Sequence, residues 1–84
     1  MNFQEKLEAA KNPNTPVSVL ETLATDENCD VRRRAASNPN TPASTLETLA
    51  TDENYWVRHN AAMNPNATEI VKRLYLMTEE ESSF

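Results

Sequence analysis

Residues 9–34 read AAKNPNTPVSVLETLATDENCDVRRR, and residues 35–60 read AASNPNTPASTLETLATDENYWVRHN. The two stretches align without a gap, and 19 of their 26 positions are identical. A fixed period of this kind is typical of repeat proteins, in which each unit buries its apolar face only against a neighbouring unit. The duplication therefore decides the architecture before any other feature of the sequence.

The repeat continues in weaker form on both sides of this pair. Residues 61–78 begin as a third copy and lose one residue near Ala67. Residues 1–8 lead into the second half of a repeat whose first half is absent, and residues 79–84 form an acidic tail. The sequence therefore predicts a single domain, residues 1–84, of two and a half to three repeats with a cap at each end.

Each full unit predicts two short α-helices separated by the turn Asp-Glu-Asn. Apolar residues recur at helical spacing in both halves of the unit. Helices of about ten residues are marginal alone in water, so stacking of successive units must supply the missing burial. We therefore expect an all-α solenoid. Its predicted core positions are Leu20, Leu23, Ala24, Val31, Ala35 and Ala36, with their counterparts 26 residues later.

Threonine and asparagine mark the predicted helix ends. Thr15 and Thr41 each precede a proline, and their hydroxyls are expected to cap the first helix of a unit, with the proline at its first position. The chain contains no glycine. Asn12, Asn38 and Asn64 are therefore expected to supply any left-handed helix terminus, at a corner that the following proline forces out of the α region.

The motif Asn-Pro-Asn-Thr-Pro-x-x-x-Leu-x-x-Leu-Ala-x-Asp, followed by Val-Arg and an alanine pair, occurs at residues 12–36 and 38–62. It resembles the leucine-rich repeat variant family. The resemblance implies a right-handed superhelix in which an α-helical layer packs against a layer of short or 3₁₀ helices. It also implies an interaction scaffold. Members with an iron-sulfur cluster hold it in a separate cysteine-rich segment, which this chain lacks, so we expect no cofactor.

Composition excludes several other classes of protein. Eight Lys plus Arg against thirteen Asp plus Glu give a net charge of −5, which is the wrong sign for a chain that wraps nucleic acid over most of its surface. Cys29 is the only cysteine, so no intrachain disulfide or cysteine-rich metal site is expected. With no signal peptide or membrane-spanning run in the sequence, we expect a cytoplasmic protein without a membrane partner.

Two arginines predict a structural ladder. Arg32 and Arg58 occupy the same repeat position, and Asp26 and Asp52 lie six residues before them. We expect Asp-to-Arg contacts between adjacent repeats, because a guanidinium pairs well with a carboxylate across a short gap.

The positions that differ between the two full repeats predict a binding patch. Four of the seven differing pairs cluster around the start of the second helix. Trp, Tyr and Arg are the residue types enriched in binding hot spots. An equally weighted alternative is that Tyr55 and Trp56 only fill the gap beneath the irregular third repeat. The residues of the predicted patch are Tyr55, Trp56, His59, Arg33 and Arg34.

No catalytic site can be assembled from the sequence. His59 replaces an arginine of the previous repeat, and no nucleophile is accompanied by a base and an orienting acid. Residues 26–30 imitate the opening of a calcium loop but lack its glycine and its bidentate glutamate, so no metal is expected. We therefore predict a protein that is not an enzyme and has no small-molecule substrate.

The predicted partner is another protein. A second copy of the chain could dock on the terminal apolar residues, which include Phe3 and Leu7 at one end and Ile70, Val71, Leu74, Tyr75 and Met77 at the other. The alternative is nucleic acid, held by Lys11, Arg32, Arg33, Arg34, Arg58 and His59 with Trp56 stacked on a base. The acidic tail, which ends in Phe84, is either a frayed terminus or a short docking peptide.

Overall fold

The computed structural model describes residues 1–82 and contains, within them, six α-helices and no strand. The expectation of an all-α repeat with two short helices per unit is confirmed, whereas the right-handed twist stays a prediction. The short helices of the second layer are α-helices rather than 3₁₀ helices. The six helices are α1 (Phe3–Lys11), α2 (Val17–Leu23), α3 (Cys29–Ser37), α4 (Ala43–Leu49), α5 (Tyr55–Met63) and α6 (Glu69–Ser82).

The helices form two layers in a slab of 38 × 22 × 14 Å. Helices α1, α3 and α5 pack side by side, with α3 in the middle. Helix α2 packs against α1 and α3, α4 against α3 and α5, and α6 against α4 and α5. Each odd-numbered helix is thus the second helix of a repeat, and α1 is the second helix of the half repeat at the start of the chain.

The core contains the residues that the repeat predicts. Leu20, Leu46, Val31 and Val57 are fully buried, and so is Val71 in the first turn of α6. The alanine pairs of α3 and α5 are 0 to 2 % exposed. Such small residues allow neighbouring helices to approach closely, so a thin core of Leu, Val and Ala is enough to join the repeats.

The turn before each odd-numbered helix caps that helix. Asn28 Oδ1 accepts from the backbone N–H of Asp30, and Asn54 Oδ1 accepts from those of Trp56 and Val57. The same position in the half repeat is Asn2, which forms a complete capping box with Glu5. Because this cap needs only Asn2 and Glu5, α1 begins at the same repeat position as α3 and α5.

The predicted threonine caps are wrong. The hydroxyls of Thr15 and Thr41 donate to the backbone oxygens of Ala9 and Ala35, each at 2.6 Å, near the end of the preceding helix. Neither α2 nor α4 has a side-chain cap, since a proline stands directly before each. The threonines instead tie the corner to the helix before it, where late carbonyls lack intrahelical partners.

The asparagine corners are extended, and the expected left-handed terminus is wrong. Asn12, Asn38 and Asn64 have φ between −64° and −73°, and residues 1–82 contain no positive φ. Asn38 Nδ2 donates to the backbone oxygens of Ala10 (2.7 Å) and Asn12 (2.9 Å). Asn64 repeats this one unit later. We call Asn38, Asn40, Asn64 and Asn66 the asparagine ladder, because each side chain binds backbone oxygens of the preceding corner.

Helix α6 is longer than the other five described helices. The sequence analysis placed an acidic tail from residue 79, whereas the helix runs on to Ser82. No Asp-Glu-Asn turn follows Tyr75, and the residues after it include Leu, Met and Glu, which favour helix. Ile70 and Met77 on α6 are 57 and 58 % exposed. The proposed docking residue Phe84 lies outside the described residues.

Candidate binding site

Three side chains of α5 form an aromatic cluster at its N-terminal end. The Tyr55 and Trp56 ring centroids are 5.1 Å apart in an edge-on arrangement, and Tyr55 stacks on the His59 imidazole at 5.7 Å. Trp56 also meets His59 edge-on at 5.9 Å. Residues three and four apart share a side of an α-helix, so the helix brings His59 next to both Trp56 and Tyr55.

Tyr75 of α6 completes the cluster from the third repeat. Its ring lies 6.0 Å from His59, its hydroxyl is 3.4 Å from His59 Nδ1, and the same hydroxyl donates to Tyr55 Oη at 3.4 Å. From the sequence, Tyr75 was expected only among the terminal apolar residues, and this contact was not predicted. The earlier repeats have no pair of aromatic residues at the positions equivalent to Tyr55 and Tyr75. The repeat pattern therefore gave no signal for this contact.

Trp56 is the most exposed member of the cluster. Its side chain is 58 % exposed, against 39 % for Tyr55, while His59 is half-buried. Tyr55 packs against the third repeat, whereas Trp56 presents its indole to solvent.

The contacts of Tyr75 hold its hydroxyl in the neutral form. The hydrogen bond to Tyr55, burial, and the nearby Glu79 carboxylate raise the pKa of Tyr75 to about 12. Stability from this group is complete below about pH 10 and is lost as the pH rises through about 12, because the unfolded chain ionises first. We expect the Tyr75 tyrosinate, the only one that Tyr55→Phe can form, to appear at a lower pH than the last tyrosinate to form in the parent protein. An unchanged titration curve would contradict the contact between the two hydroxyls.

Arg33 and Arg34 lie on α3, beside this cluster but not in ring contact with it within residues 1–82. Arg33 Nη2 is 3.5 Å from Asp30 Oδ1, and the Arg33 backbone oxygen accepts from Asn60 Nδ2 at 3.5 Å. Arg34 is exposed. The cation that does meet an aromatic ring is Arg58, whose guanidinium carbon lies 5.7 Å from the centroid of Tyr55. The structure therefore brings the aromatic members of the predicted patch together on α5 and places Arg33 and Arg34 on the neighbouring helix α3.

The other predicted set of residues forms a series of ion pairs between repeats. Arg32 binds Asp52 of the next repeat through two contacts, Nε to Oδ2 at 2.8 Å and Nη2 to Oδ1 at 3.2 Å. Both side chains are about 90 % buried. Asp26 pairs instead with Lys6 at 2.7 Å. We call Lys6, Asp26, Arg32, Asp52 and Arg58 the charge ladder.

Lys6 is the member of the charge ladder that the sequence analysis missed. It stands 26 residues before Arg32, which is one repeat length. Lys6 could therefore have been predicted as the equivalent cation of the half repeat. Hydrogen bonds from Lys6 and from the Asn28 backbone N–H lower the pKa of Asp26, and the Asp26 carboxylate raises the pKa of Lys6. The Asp52 carboxylate likewise raises the pKa of Arg32. The Lys6 and Asp26 pair therefore stays ionised over the physiological range.

The family comparison matches the centre of this charge ladder. The model of the family described as leucine rich repeat variant matches residues 30–54, which run from the first turn of α3 through α4 to the cap of α5. Residues 30–54 are thus similar to a leucine rich repeat variant repeat. The resemblance is thereby confirmed over this stretch. No curated protein and no solved structure matches the chain.

The leucine-rich repeat variant match separates the framework from the aromatic cluster. Arg32 and Asp52, which join the repeats, lie inside the matched stretch, together with Arg33 and Arg34. Tyr55, Trp56, His59 and Tyr75 all follow it. The match therefore includes the ion pair that joins the two full repeats and ends directly before the aromatic cluster.

Other candidate chemistry is sparse in the described residues. No group of three or more His, Cys, Asp or Glu side chains within residues 1–82 is arranged to hold a metal ion. Cys29 is a free thiol, half-buried against the core. None of the described helices is both long and apolar enough to cross a bilayer.

Proposed function

We propose that this leucine-rich repeat variant protein is a non-catalytic protein-binding module whose contact surface centres on Trp56. The observation that carries the proposal is a 58 % exposed tryptophan held by a packed aromatic cluster. A rigid aromatic ring loses little conformational entropy on binding and contributes a large apolar area, which is why Trp and Tyr dominate hot spots.

The surroundings of Trp56 support the same proposal. Tyr55 and His59 fix the ring from one side, and Arg33 and Arg34 add positive charge on the neighbouring helix. Hot spots combine such an anchor with a polar rim that excludes water. Leucine-rich repeat variant proteins are typically interaction modules, which agrees with this use of the surface.

The partner can be found by cross-linking from the proposed surface. A photoreactive phenylalanine analogue placed at residue 56 is expected to give a discrete adduct in the native host. The same residue placed at Glu47, exposed on α4, is the control and should give none. Adduct mass distinguishes a different protein from a second copy of the chain. Equal labelling from both positions would contradict the proposal.

Once the partner has been identified, alanine substitution measures the contribution of the Trp56 ring to the binding free energy. We expect Trp56→Ala to weaken binding by more than about 1 kcal/mol, roughly fivefold in Kd, with unchanged helical content. Met63→Ala on the same helix, where the side chain is 65 % exposed, should change Kd less than about twofold. Equal effects of the two substitutions would remove Trp56 from the contact surface.

Nucleic acid is the alternative partner, favoured by the four arginines of α3 and α5 and by the exposed indole. Trp56 is the only tryptophan, so its fluorescence reports directly on this surface. Quenching by a single-stranded oligonucleotide that weakens steeply with salt would favour nucleic acid, because phosphate contacts release counterions. Absence of quenching leaves the protein partner in place. The negative net charge and the engagement of Arg32 in the charge ladder favour that second outcome.

A further inference from the structure

The first repeat exposes positions that the second repeat covers. Asn12 is exposed, whereas its counterpart Asn38 is 2 % exposed. Three further pairs differ in the same direction, Ala9 from Ala35, Val17 from Ala43 and Val19 from Thr45. The difference arises because a repeat precedes α3 and α4, whereas none precedes α1 and α2. We call Ala9, Asn12, Val17 and Val19 the leading face, since a preceding repeat would cover these residues.

The groove between α2 and α4 identifies the opposite side of a repeat. This open groove of about 250 Å³ is lined by Glu21, Ala24 and Thr25 of α2 and by Ser44, Thr45 and Thr48 of α4. Helix α2 therefore directs its three residues toward the next repeat. Once the missing residue of the third repeat is allowed for, the same positions on α6 are Lys72, Tyr75 and Leu76, which we call the trailing face.

Both end faces are more apolar than the corresponding interior positions. Val19 stands where the second repeat has Thr45, and Leu76 stands where both full repeats have threonine. Val17 is 39 % exposed and Leu76 is 57 % exposed. The terminal units of a solenoid usually carry polar residues on the outer face, because no further repeat covers them. Apolar residues at both ends therefore indicate that these faces are covered.

We propose that the leading face of one copy binds the trailing face of a second copy, so that chains stack head to tail as successive repeats do. A second copy fits because the two faces are the two sides of one interface, that of α2 against α4, which the chain already uses. Val19 of one copy would approach Leu76 of the other, as Thr45 faces Thr25 across the groove. The larger apolar side chains would fill space that threonine leaves open.

The asparagine ladder provides unused donors at the leading face. Asn40 Nδ2 donates to the Thr15 backbone oxygen at 2.7 Å, across the boundary between two repeats. Asn14, its counterpart in the first repeat, is exposed, and its amide donates to no described residue. Its donors therefore remain available to a corner that precedes the first repeat.

The corner of the third repeat offers the matching acceptors. Asn64 Oδ1 accepts from the Asn66 N–H at 2.8 Å and Asn64 O accepts from the Ala67 N–H at 2.9 Å. The same bonds at Asn38 measure 2.8 and 3.0 Å, so the two corners have the same shape. The backbone oxygens of Pro65 and Ala67 accept from no described side chain. Asn14 of a second copy could bind them, as Asn66 binds the equivalent oxygens of the second repeat.

Stacked copies would keep the proposed contact surface free. Asp30 holds the position of Trp56 on the middle helix α3, and its side chain is 55 % exposed although α3 has a neighbour on each side. Ser37, the counterpart of Met63, is exposed as well. These positions point away from both end faces. Head-to-tail stacking is therefore independent of the function proposed for Trp56.

Sedimentation velocity tests the stacking in the full chain. Between about 10 μM and about 1 mM we expect the average mass to rise past that of a dimer, because a head-to-tail contact does not close. Val17→Lys and Leu76→Lys change exposed residues and should each weaken association at least about tenfold, with unchanged helical content by circular dichroism. Met63→Lys, at a side chain that is 65 % exposed, is the matched control and should associate like the parent.

Mixing the two end variants distinguishes head-to-tail stacking from a two-fold dimer. Val17→Lys keeps its trailing face, and Leu76→Lys keeps its leading face. An equimolar mixture should therefore form a dimer that neither variant forms alone, and should stop at two chains because both remaining faces carry lysine. A parent protein that stays monomeric at about 1 mM, an equal loss of association in Met63→Lys, or no dimer in the mixture would overturn the proposal.

Discussion

Replacing Asn38 by alanine is expected to lower the free energy of unfolding by about 3 kcal/mol. Asn38 is 2 % exposed, and its amide donates to the backbone oxygens of Ala10 and Asn12 in the preceding repeat. Its Oδ1 also accepts from the Asn40 backbone N–H at 2.8 Å. Alanine would leave these groups shielded from water without their partner, and unmade buried hydrogen bonds cost more than made ones contribute.

Asn12 is the matched control, because it holds the same repeat position with no corner before it. Its side chain is exposed, and its Oδ1 accepts only from the Asn14 backbone N–H at 2.9 Å. We expect Asn12→Ala to cost about 0.5–1 kcal/mol in urea unfolding monitored by circular dichroism. Asn38→Asp keeps the shape and the acceptor but loses both donated bonds, so it should be at least as destabilising as alanine. Similar losses for Asn12→Ala and Asn38→Ala would show that the asparagine ladder does not join the repeats.

The helices could be predicted from the sequence because their signals are local and repeated. Leu20 and Leu46 sit at the same helical position 26 residues apart, and both are fully buried. The Asp-Glu-Asn turn recurs with them and supplies the caps of α3 and α5. Because two full copies of the repeat agree at these positions, the pattern is not accidental. It was therefore enough to predict the two helices of each unit and the core residues.

The corner chemistry could not be predicted from local rules. A threonine before Pro is a common helix cap, yet Thr15 and Thr41 donate to carbonyls six residues earlier. Asparagine is the usual substitute for glycine in a left-handed terminus, yet Asn38 stays extended and binds the preceding repeat. In each case the conformation depends on a hydrogen-bond acceptor in the preceding helix. Local sequence rules for a single unit do not identify that acceptor.

The candidate site was predictable only in part, for a related reason. The variable positions drew attention to Tyr55 and Trp56, but the contact of Tyr55 with the third repeat depends on where α6 places Tyr75. That placement follows from the lost residue near Ala67 and from the continuation of α6 beyond the usual turn. The irregular third repeat has no second copy in the chain, so its structure could not be predicted by comparison with another repeat.

Replacing Arg32 by alanine is the second change with a large expected effect, a loss of about 3 kcal/mol in the free energy of unfolding. Arg32 is 9 % exposed and joins two repeats through Asp52 while holding the turn of its own repeat through Asp26 and Glu27. Its removal leaves the largely buried Asp52 carboxylate without a countercharge. Breaking one half of a buried pair is costly even where the intact pair contributes little net stability.

Arg58→Ala isolates the part of this loss that comes from the carboxylate. Arg58 makes the same two bonds to its own turn and lacks the ion pair, so we expect it to cost about 1 kcal/mol. A double-mutant cycle of Arg32→Ala with Asp52→Ala should give a coupling energy above about 1 kcal/mol. Equal losses at Arg32 and Arg58, with no coupling to Asp52, would mean that the carboxylate contributes nothing to the stack. A smaller loss at Arg58 would instead assign the difference between the two arginines to the Asp52 carboxylate.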